Sequence, residues 1–392
     1  MAVGRPSTEA QINEVCKHAG VERDTVQNFF NRPGLLSPST RQRVASAVAA
    51  TGYRPARRTR GSLSGVRIGY ELPRSWTTPS PVMLEQFEAL VSEVQDRRGL
   101  VVPFVVQPEV PGVNDVGGGS AAERDDPGLR LDGWHREYAR TLALPTYHEA
   151  MKAHKLRAFV VNDLQVDDQR LAGLRKEGVA YVALGRPRGS DEDMQHPHVE
   201  NDNARGIIEM INLMEEAGCV QFMHLGFDDD GSNVPPARRD TISDRLGTIP
   251  QKRIHYQNSL HPHRSEVEST ARWISEHAGA DAILCDSDAI AYIAHQAATL
   301  AGRGTTRSKL TPRDHDHKPL MLAGNDNSFY RTLVEPDQQW MTMQGDKIGL
   351  MRAAVDLLES RLSGKDENAA ILMPPEIVGA PGRPSDAITK IA

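Results

Sequence analysis

The stretch Lys17–Asn31, "KHAGVERDTVQNFFN", decides how this 392-residue chain is read. A glycine divides it into two short segments, each with the apolar spacing of a helix. Upstream, Ile12, Val15, Cys16 and Ala19 recur at the i, i+3, i+4 and i+7 positions of one helical face. Thr8 and Gln11 are spaced as a capping box at its start. Gly20 can take the positive φ that a sharp helix-to-helix turn needs. Downstream, Val26, Phe29 and Phe30 fall on one side, and Arg23, Asp24, Gln27, Asn28 and Asn31 are left facing outward. Ser37 as N-cap and Pro38 at the first helical position announce a third helix, which runs through Val44, Ala47 and Val48 and stops at Gly52. The pattern predicts a compact three-helix unit.

Charge sets this unit apart. The chain carries a formal net charge of -6, yet residues 1–67 hold 11 Lys plus Arg against 4 Asp plus Glu. A basic head therefore precedes an acidic body. Such a head is the electrostatic footprint of a polyanion binder, whereas the body repels nucleic acid. A trihelical unit places its second helix in the DNA major groove, whose width admits a helix with side chains reaching base edges. The outward residues of Lys17–Asn31 have lengths and donor or acceptor groups suited to that task.

The run Ile12–Pro55, "INEVCKHAGVERDTVQNFFNRPGLLSPSTRQRVASAVAATGYRP", resembles the head of the lactose-repressor (LacI/GalR-type) family of bacterial transcription regulators. The matches are "AGV", "TV", the Asn of "FFN", "SPSTRQRV" and "GYRP". The resemblance implies base-reading roles for Arg23, Asp24 and Asn28, phosphate contacts for Thr25, Gln27 and Asn31, and a DNA contact for Gln11. Glu22, Gln27 and Asn28 stand where the family usually has Ser, Ser and Arg, so the operator it implies is not the family's usual one. By base chemistry, Asn suits adenine, Arg suits guanine, and Asp24 can accept from cytosine N4.

A polar linker follows, "ARRTRGSLSG" at 56–65. Arg57, Arg58 and Arg60 beside a duplex would neutralise phosphates and make binding steeply salt-dependent. The resemblance implies that this linker becomes a helix on DNA and that Leu63 wedges into the minor groove. Leu63 lies one place later than the family's wedge, and Gly61 lowers helix propensity by about 1 kcal/mol relative to Ala. A flexible tether is the alternative reading of the same composition.

From Val66 onward, strand-like runs ("VRIGYEL", "VVPFVV", "AFVVND", "AYVALG", "QFMHLG", "AILCD", "PLMLAGND") alternate with helical stretches at 82–98, 203–217, 265–277, 288–301 and 346–363. That alternation is the signature of βαβ units and parallel sheets. Polar tips at the strand ends, as in "VVND", "LCDSD" and "LAGND", predict a ligand cleft at the carboxyl ends of the strands. Through "VALGRP", "ENDNARGIIEMINLMEEAG", "CDSDAIA", "LAGND" and "GLMRAAVDLLESRLSG" the body resembles the two-lobed, type I periplasmic-binding-protein-like sensor that follows the head in the same family.

The expected architecture is thus α/β: a helix-turn-helix DNA-binding domain at 1–55, a hinge linker at 56–65, and a two-lobed effector-binding and dimerisation domain at 66–392. The resemblance implies one lobe at about 66–187 and 343–366 and the other at about 188–342 and 367–385, with crossings near residues 187, 343 and 366. It implies cleft positions at Trp76, Met83, Asn162, Asp163, Arg238 or Arg239, Ser287, Asp326 and Gln344. Ser287 and Asp326 have a second reading as caps of helices or turns. The family's Gly three residues after the cleft Arg is missing from "RRDTISD", and "NSLHPHRS" lacks the aromatic platform of sugar-binding members.

Other chemistry is not supported. No P-loop, "HExxH" or nucleophile elbow occurs, so no enzyme activity is expected. Cys16, Cys219 and Cys285 are odd in number and far apart, which fits neither a disulfide framework nor a zinc site. The histidine groups at 196–198, 261–263 and 315–317 are read as solvated turns and not as metal ligands. No cofactor is expected. The Pro/Gly-rich acidic segment 107–133 is read as a disordered insertion. The start "MAVGRPSTEAQ" has no apolar leader and no long apolar run occurs, so a cytoplasmic location without membrane contact is expected. The expected partners are a double-stranded DNA operator, a small-molecule effector (a sugar or another metabolite) and a second copy of the chain, in a dimer or a tetramer. The alternatives are a cytoplasmic solute binder, or a sensor of a protein partner, with an impaired head.

Overall fold

The structure, a computed structural model, describes residues 8–31, 36–51, 63–72, 81–105, 147–189, 196–227, 233–254, 262–306, 319–365 and 369–381. The insertion 107–133, most of the linker and the histidine group 315–317 lie outside the described residues, as does His261. The chain divides into a head unit ending at Arg60 and a body unit beginning at Gly61.

The head contains three helices: α1 (Thr8–Ala19), α2 (Arg23–Asn31) and α3 (Pro38–Thr51). The stripe read from sequence is the one that packs. Ile12, Val15 and Ala19 of α1, Val26 of α2, and Val44 and Ala47 of α3 are buried together, with Cys16, Phe29 and Val48 partly buried around them. Gly20 turns the chain at φ +61, where a β-carbon would strain the backbone. Ser37 caps α3 by accepting the Thr40 amide at 3.2 Å. The side chains of Thr8 and Gln11 lie outside the described residues, so the capping box rests on sequence alone.

The body carries two six-stranded sheets. In chain order its elements are β1 (Arg67–Leu72), α4 (Pro81–Asp96), β2 (Leu100–Val105), α5 (147–154), β3 (Ala158–Val161), α6 (Gln169–Lys176), β4 (Ala180–Leu184) and β5 (His198–Asn201). Then come α7 (Asn203–Glu216), β6 (Phe222–Phe227), α8 (Val234–Leu246), β7 (Gln251–Ile254), α9 (Arg264–Glu276), β8 (Ala282–Cys285), α10 (Asp288–Leu300) and β9 (Met321–Asn325). A short 3-10 helix (Phe329–Leu333), β10 (Met341–Gln344), α11 (Lys347–Leu362), β11 (Ala370–Met373) and β12 (Glu376–Val378) complete it.

The first sheet has the order β11-β5-β4-β3-β1-β2, paired in parallel throughout. The second runs β12-β10-β9-β8-β6-β7, with β12 alone antiparallel to its neighbour. Both faces of each sheet are covered, so the central strands are apolar without alternation. In β3, Val160 packs with α4 and α11 on one face, and Phe159 and Val161 pack with Tyr147, Leu171 and Leu174 on the other. In β8, Ile283 and Cys285 face α9 and α10, and Ala282 and Leu284 face α7 and α8.

The chain passes between the sheets at Asp202, at 345–346 and at 374–375. The first and third lie farther along than residues 187 and 366. The physical reason is that β5 and β11 pair in parallel with each other at the edge of the first sheet, so each must finish there before the chain can leave. The crossings are tightly packed. The Asp202 amide donates to the Met373 carbonyl at 2.8 Å, and a β-carbon on Gly345 would come within 2.3 Å of the Asn201 side chain. Asp202 and Asp346 then cap α7 and α11.

Two further expectations are corrected. Leu63 is 1% exposed in the core of the first lobe, and its amide donates to the Arg97 carbonyl at 3.0 Å, so the body begins at least three residues earlier than 66. His196 and His198 are buried and are not in a solvated turn, because β5 draws both under the sheet edge. The Tyr181 hydroxyl pairs with His196 Nδ1, and His198 Nδ1 donates to the His196 carbonyl at 2.8 Å.

Two outcomes follow for stability. Val15→Ala removes two methyl groups from the small head core and costs about 2 kcal/mol, enough to unfold much of the head population; exchange of the α1–α3 amides should rise sharply while the melting of the body stays put. Burial pushes the His196 imidazole down to about 4. Below about pH 6.5 the unfolded chain takes up a proton that the folded chain refuses until about pH 4, so this group withdraws stability as pH falls through that window. Urea midpoints should fall less steeply over the same window in His196→Asn.

Candidate DNA-reading helix and inter-lobe cleft

In the head, burial of Val26 fixes the roll of α2. That orientation leaves Glu22, Arg23 and Asp24 exposed and Thr25 partly so. The first turn of this helix, where a reading helix meets base edges, therefore presents one cation and one carboxylate to the surroundings. Asp24 sits where the positive end of the helix dipole favours a carboxylate. The side chains of Gln11, Gln27, Asn28 and Asn31 lie outside the described residues, as do Arg57, Arg58 and Arg60. Leu63 belongs to the body core, and its expected role as a groove wedge is not carried forward.

In the body, the carboxyl ends of the strands of the two sheets supply the polar groups. On the first lobe, Asn162 and Asp163 follow β3. Asn162 is buried beside the Tyr70 hydroxyl, whose proton burial holds to about pH 12. Asp163 is exposed with φ +48, a left-handed conformation that Asp tolerates better than most residues. Arg170 sets this tip. Its guanidinium, buried, donates to the Asn162 carbonyl at 3.1 Å, the Asp163 carbonyl at 2.9 Å, Asp168 Oδ2 at 2.6 Å and Glu71 Oε2 at 2.7 Å. The Tyr147 hydroxyl donates to the same Glu71 oxygen at 2.7 Å. Burial alone would raise the Asp168 carboxyl, but pairing with Arg170 wins and holds it below its ordinary range.

On the second lobe, the choice between Arg238 and Arg239 is resolved by the face of α8. Arg238 is 8% exposed; its guanidinium donates to the Asp286 carbonyl and lies 4.0 Å from Asp326 Oδ1. Arg239, one step round the helix, is partly exposed. Asp326 has φ +93 at the end of β9 and caps no helix. Removal from water raises its carboxyl, against the pull of Arg238 and of Lys347, which pairs with Glu85 across α11 and α4. Ser287 takes its second reading: its hydroxyl caps α10 by accepting the Ile290 amide at 3.2 Å. Gln344 Oε1 accepts from Asn327 Nδ2 at 2.7 Å, and Asn327 Oδ1 accepts from Arg331 at 2.7 Å. Met83 is half-buried on α4, and Trp76 lies outside the described residues.

Sequence reasoning quoted the strand tips "LCDSD" and "LAGND" but did not single out Asp286, Asp288 or Asn325. Asp286 is 1% exposed and accepts from His224 Nε2 and from the Phe227 amide, both at 3.0 Å. Asn325 donates to the Cys285 carbonyl at 2.9 Å and leaves its Oδ1 buried without a hydrogen bond. That oxygen and Arg238 line a small cavity with Met210, Leu284 and Asp286. Asp288 lies deeper, accepting from Trp340 Nε1 at 2.8 Å and the Ser328 amide at 2.6 Å; burial pushes its carboxyl up to about 7. The signal for these residues was their place at strand ends, but the sequence does not say which polar group faces the cleft and which braces it. Among the described residues no group of three or more His, Cys, Asp or Glu could hold a metal ion, and no helix is long and apolar enough to cross a membrane.

Replacing Arg170 by Met leaves the buried Asp168 and the half-buried Glu71 without their cation. Removal of one partner from such a pair costs about 3–5 kcal/mol, so equilibrium urea unfolding of the body should shift by that amount.

No family model matches the chain. A curated relative is the HTH-type transcriptional regulator AglR of Rhizobium meliloti (strain 1021), 21% identical over 301 residues, or 74% of this chain and 73% of that protein. The lac repressor dimer bound to operator and the anti-inducer ONPF superposes with a TM-score of 0.59 at 19% identity, over 93% of this chain and 96% of that one. The complex of the transcriptional regulator CelR with cellobiose gives 0.56 at 19% identity, over 95% and 98%. With the head motifs, the two parallel lobes and a match spanning nearly the whole chain, the protein shares the fold of the lac repressor and CelR and is similar in sequence to an HTH-type transcriptional regulator.

Proposed function

We propose that the protein is a sequence-specific DNA-binding regulator of transcription, acting as a repressor. A homodimer presents two copies of α2 to a near-palindromic operator, and a small molecule in the inter-lobe cleft sets the spacing of the two heads. The observation that carries this reading is the head itself. A folded three-helix core turns the first turn of α2 outward with Arg23 and Asp24 exposed, on the basic end of an acidic chain. Arg23 and Asn28 are assigned to base edges, and Thr25, Gln27, Asn31 and the linker arginines 57, 58 and 60 to phosphates.

For the effector, the support is the set of polar groups at the strand ends, Asn162 and Asp163 on one lobe and Arg238, Asp326 and Gln344 on the other. Related structures were solved with cellobiose and with ONPF. The missing aromatic platform argues that a sugar, if bound, is held by hydrogen bonds and not by stacking. Coupling to DNA needs only that the ligand bind the two lobe arrangements with different affinity.

Selection from a random duplex pool by the full chain at fixed salt should return a near-palindrome whose half-sites lie about one or more helical turns apart. Arg23→Ala should flatten the preference at one base pair of each half-site, a discrimination of about 1–3 kcal/mol, without moving the melting of the body. The logarithm of affinity should fall steeply with the logarithm of salt concentration. A pool returned without any sequence preference rejects the reading.

A further inference from the structure

Three covalent crossings join the lobes, but the structure holds a second set of links between them that involves no crossing. Asn233, at the start of α8 in the second lobe, is 4% exposed and reaches two loops of the first. Its Nδ2 donates to the Arg186 carbonyl at 2.6 Å, and its backbone amide donates to the Leu164 carbonyl at 3.0 Å. About two turns further along α8, Asp240 accepts from Arg188 Nη2 at 2.6 Å. The first-lobe side of these contacts is itself stapled: Val166 pairs with Arg188, and the Asp167 amide donates to the Arg188 carbonyl at 2.8 Å. These are the loops that follow β3 and β4, and the first of them continues directly from Asn162 and Asp163.

The position of the links gives them their meaning. In the second sheet the crossings leave from β10 and β12 at one edge, whereas Asn233 follows β6, beyond β9 and β8 from β10. The lobes are thus hinged at one side of that sheet and fastened toward the other. Asn233 is placed for this task and not for helix capping, since its side chain makes no cap bond to α8.

We propose that Asn233 and the Arg188–Asp240 pair form a latch that holds the lobes together before any ligand binds, so that entry to the cleft requires the latch to open. The loop that carries Asn162 and Asp163 also carries the Leu164 acceptor, so a molecule seated on that tip acts on the latch through two peptide bonds of backbone. This inference deepens the proposed effector reading, on which its regulatory consequence rests; the fastening of the lobes stands apart from it.

Amide hydrogen exchange on the full-length protein without added ligand tests it. In the wild type the Asn233 amide should be protected. Asn233→Ala should raise exchange at residue 233 by about fivefold or more, as the loss of a largely buried hydrogen bond allows, and Arg188→Gln combined with Asp240→Asn, which removes a more exposed pair, by about twofold. The Asp167 amide, bonded within the first lobe, and the strand amides of Val160 and Leu284 should not move, and the small-angle scattering radius should grow. An unprotected Asn233 amide in the wild type, unchanged exchange in both variants, or an Asp167 amide that rises in step with Asn233 overturns the latch. None of these readouts involves DNA or an effector, so a failed operator selection and a failed latch are separate results.

Discussion

Two parallel sheets buried on both faces impose the constraint on which the rest of the body depends. When helices cover each face, a central strand has no surface on which to place a polar side chain, and its backbone groups are used by the neighbouring strands. Polar residues are therefore driven to the strand ends. Val160, Ile283 and their neighbours fill the layers between sheet and helices, and Asn162, Asp286, Asn325 and Asp326 stand where the strands stop. The strand ends of both sheets therefore carry hydrogen-bonding groups without a dedicated segment of sequence.

Around those strand ends, several groups brace one another instead of waiting for a ligand. Arg170 spends its guanidinium on two carbonyls and two carboxylates, which fixes the β3 tip in a backbone conformation that few residues adopt readily. Asp286 fastens β8 to β6 through His224 and the Phe227 amide. Such networks are costly to build and costly to break, and they give the exposed neighbours a rigid base. Pre-organisation of this kind lowers the ordering cost of binding a small, polar molecule.

The head obeys a different economy. A domain this small buries little apolar surface, and six buried side chains carry its core. Its reading surface follows from that core: once Val26 is inside, the residues one helical step away are outside. Stability thus rests on the inward face of the helix, and the outward positions can vary without disturbing the fold.

The sequence by itself determined the elements. Period-3.6 spacing gave α1 to α3 and the long helices of the body, and short apolar runs gave β1, β3, β4, β6, β8 and β9, because these signals come from local burial alone. It also determined the place of the ligand groups at strand tips. Only the tertiary structure decided the short strands β5, β11 and β12, which lie at or next to a sheet edge and are polar or partly exposed where β3 and β8 are fully apolar, and with them the two outer crossings. It decided that Arg238 is buried against Asp286 while Arg239 is partly exposed, that Ser287 is a cap, that His196 and His198 are core, and that Leu63 packs with the body. Each of these depends on what stands opposite the residue in space. A spacing pattern records a residue's neighbours in the chain but not the partner that a distant strand brings to it.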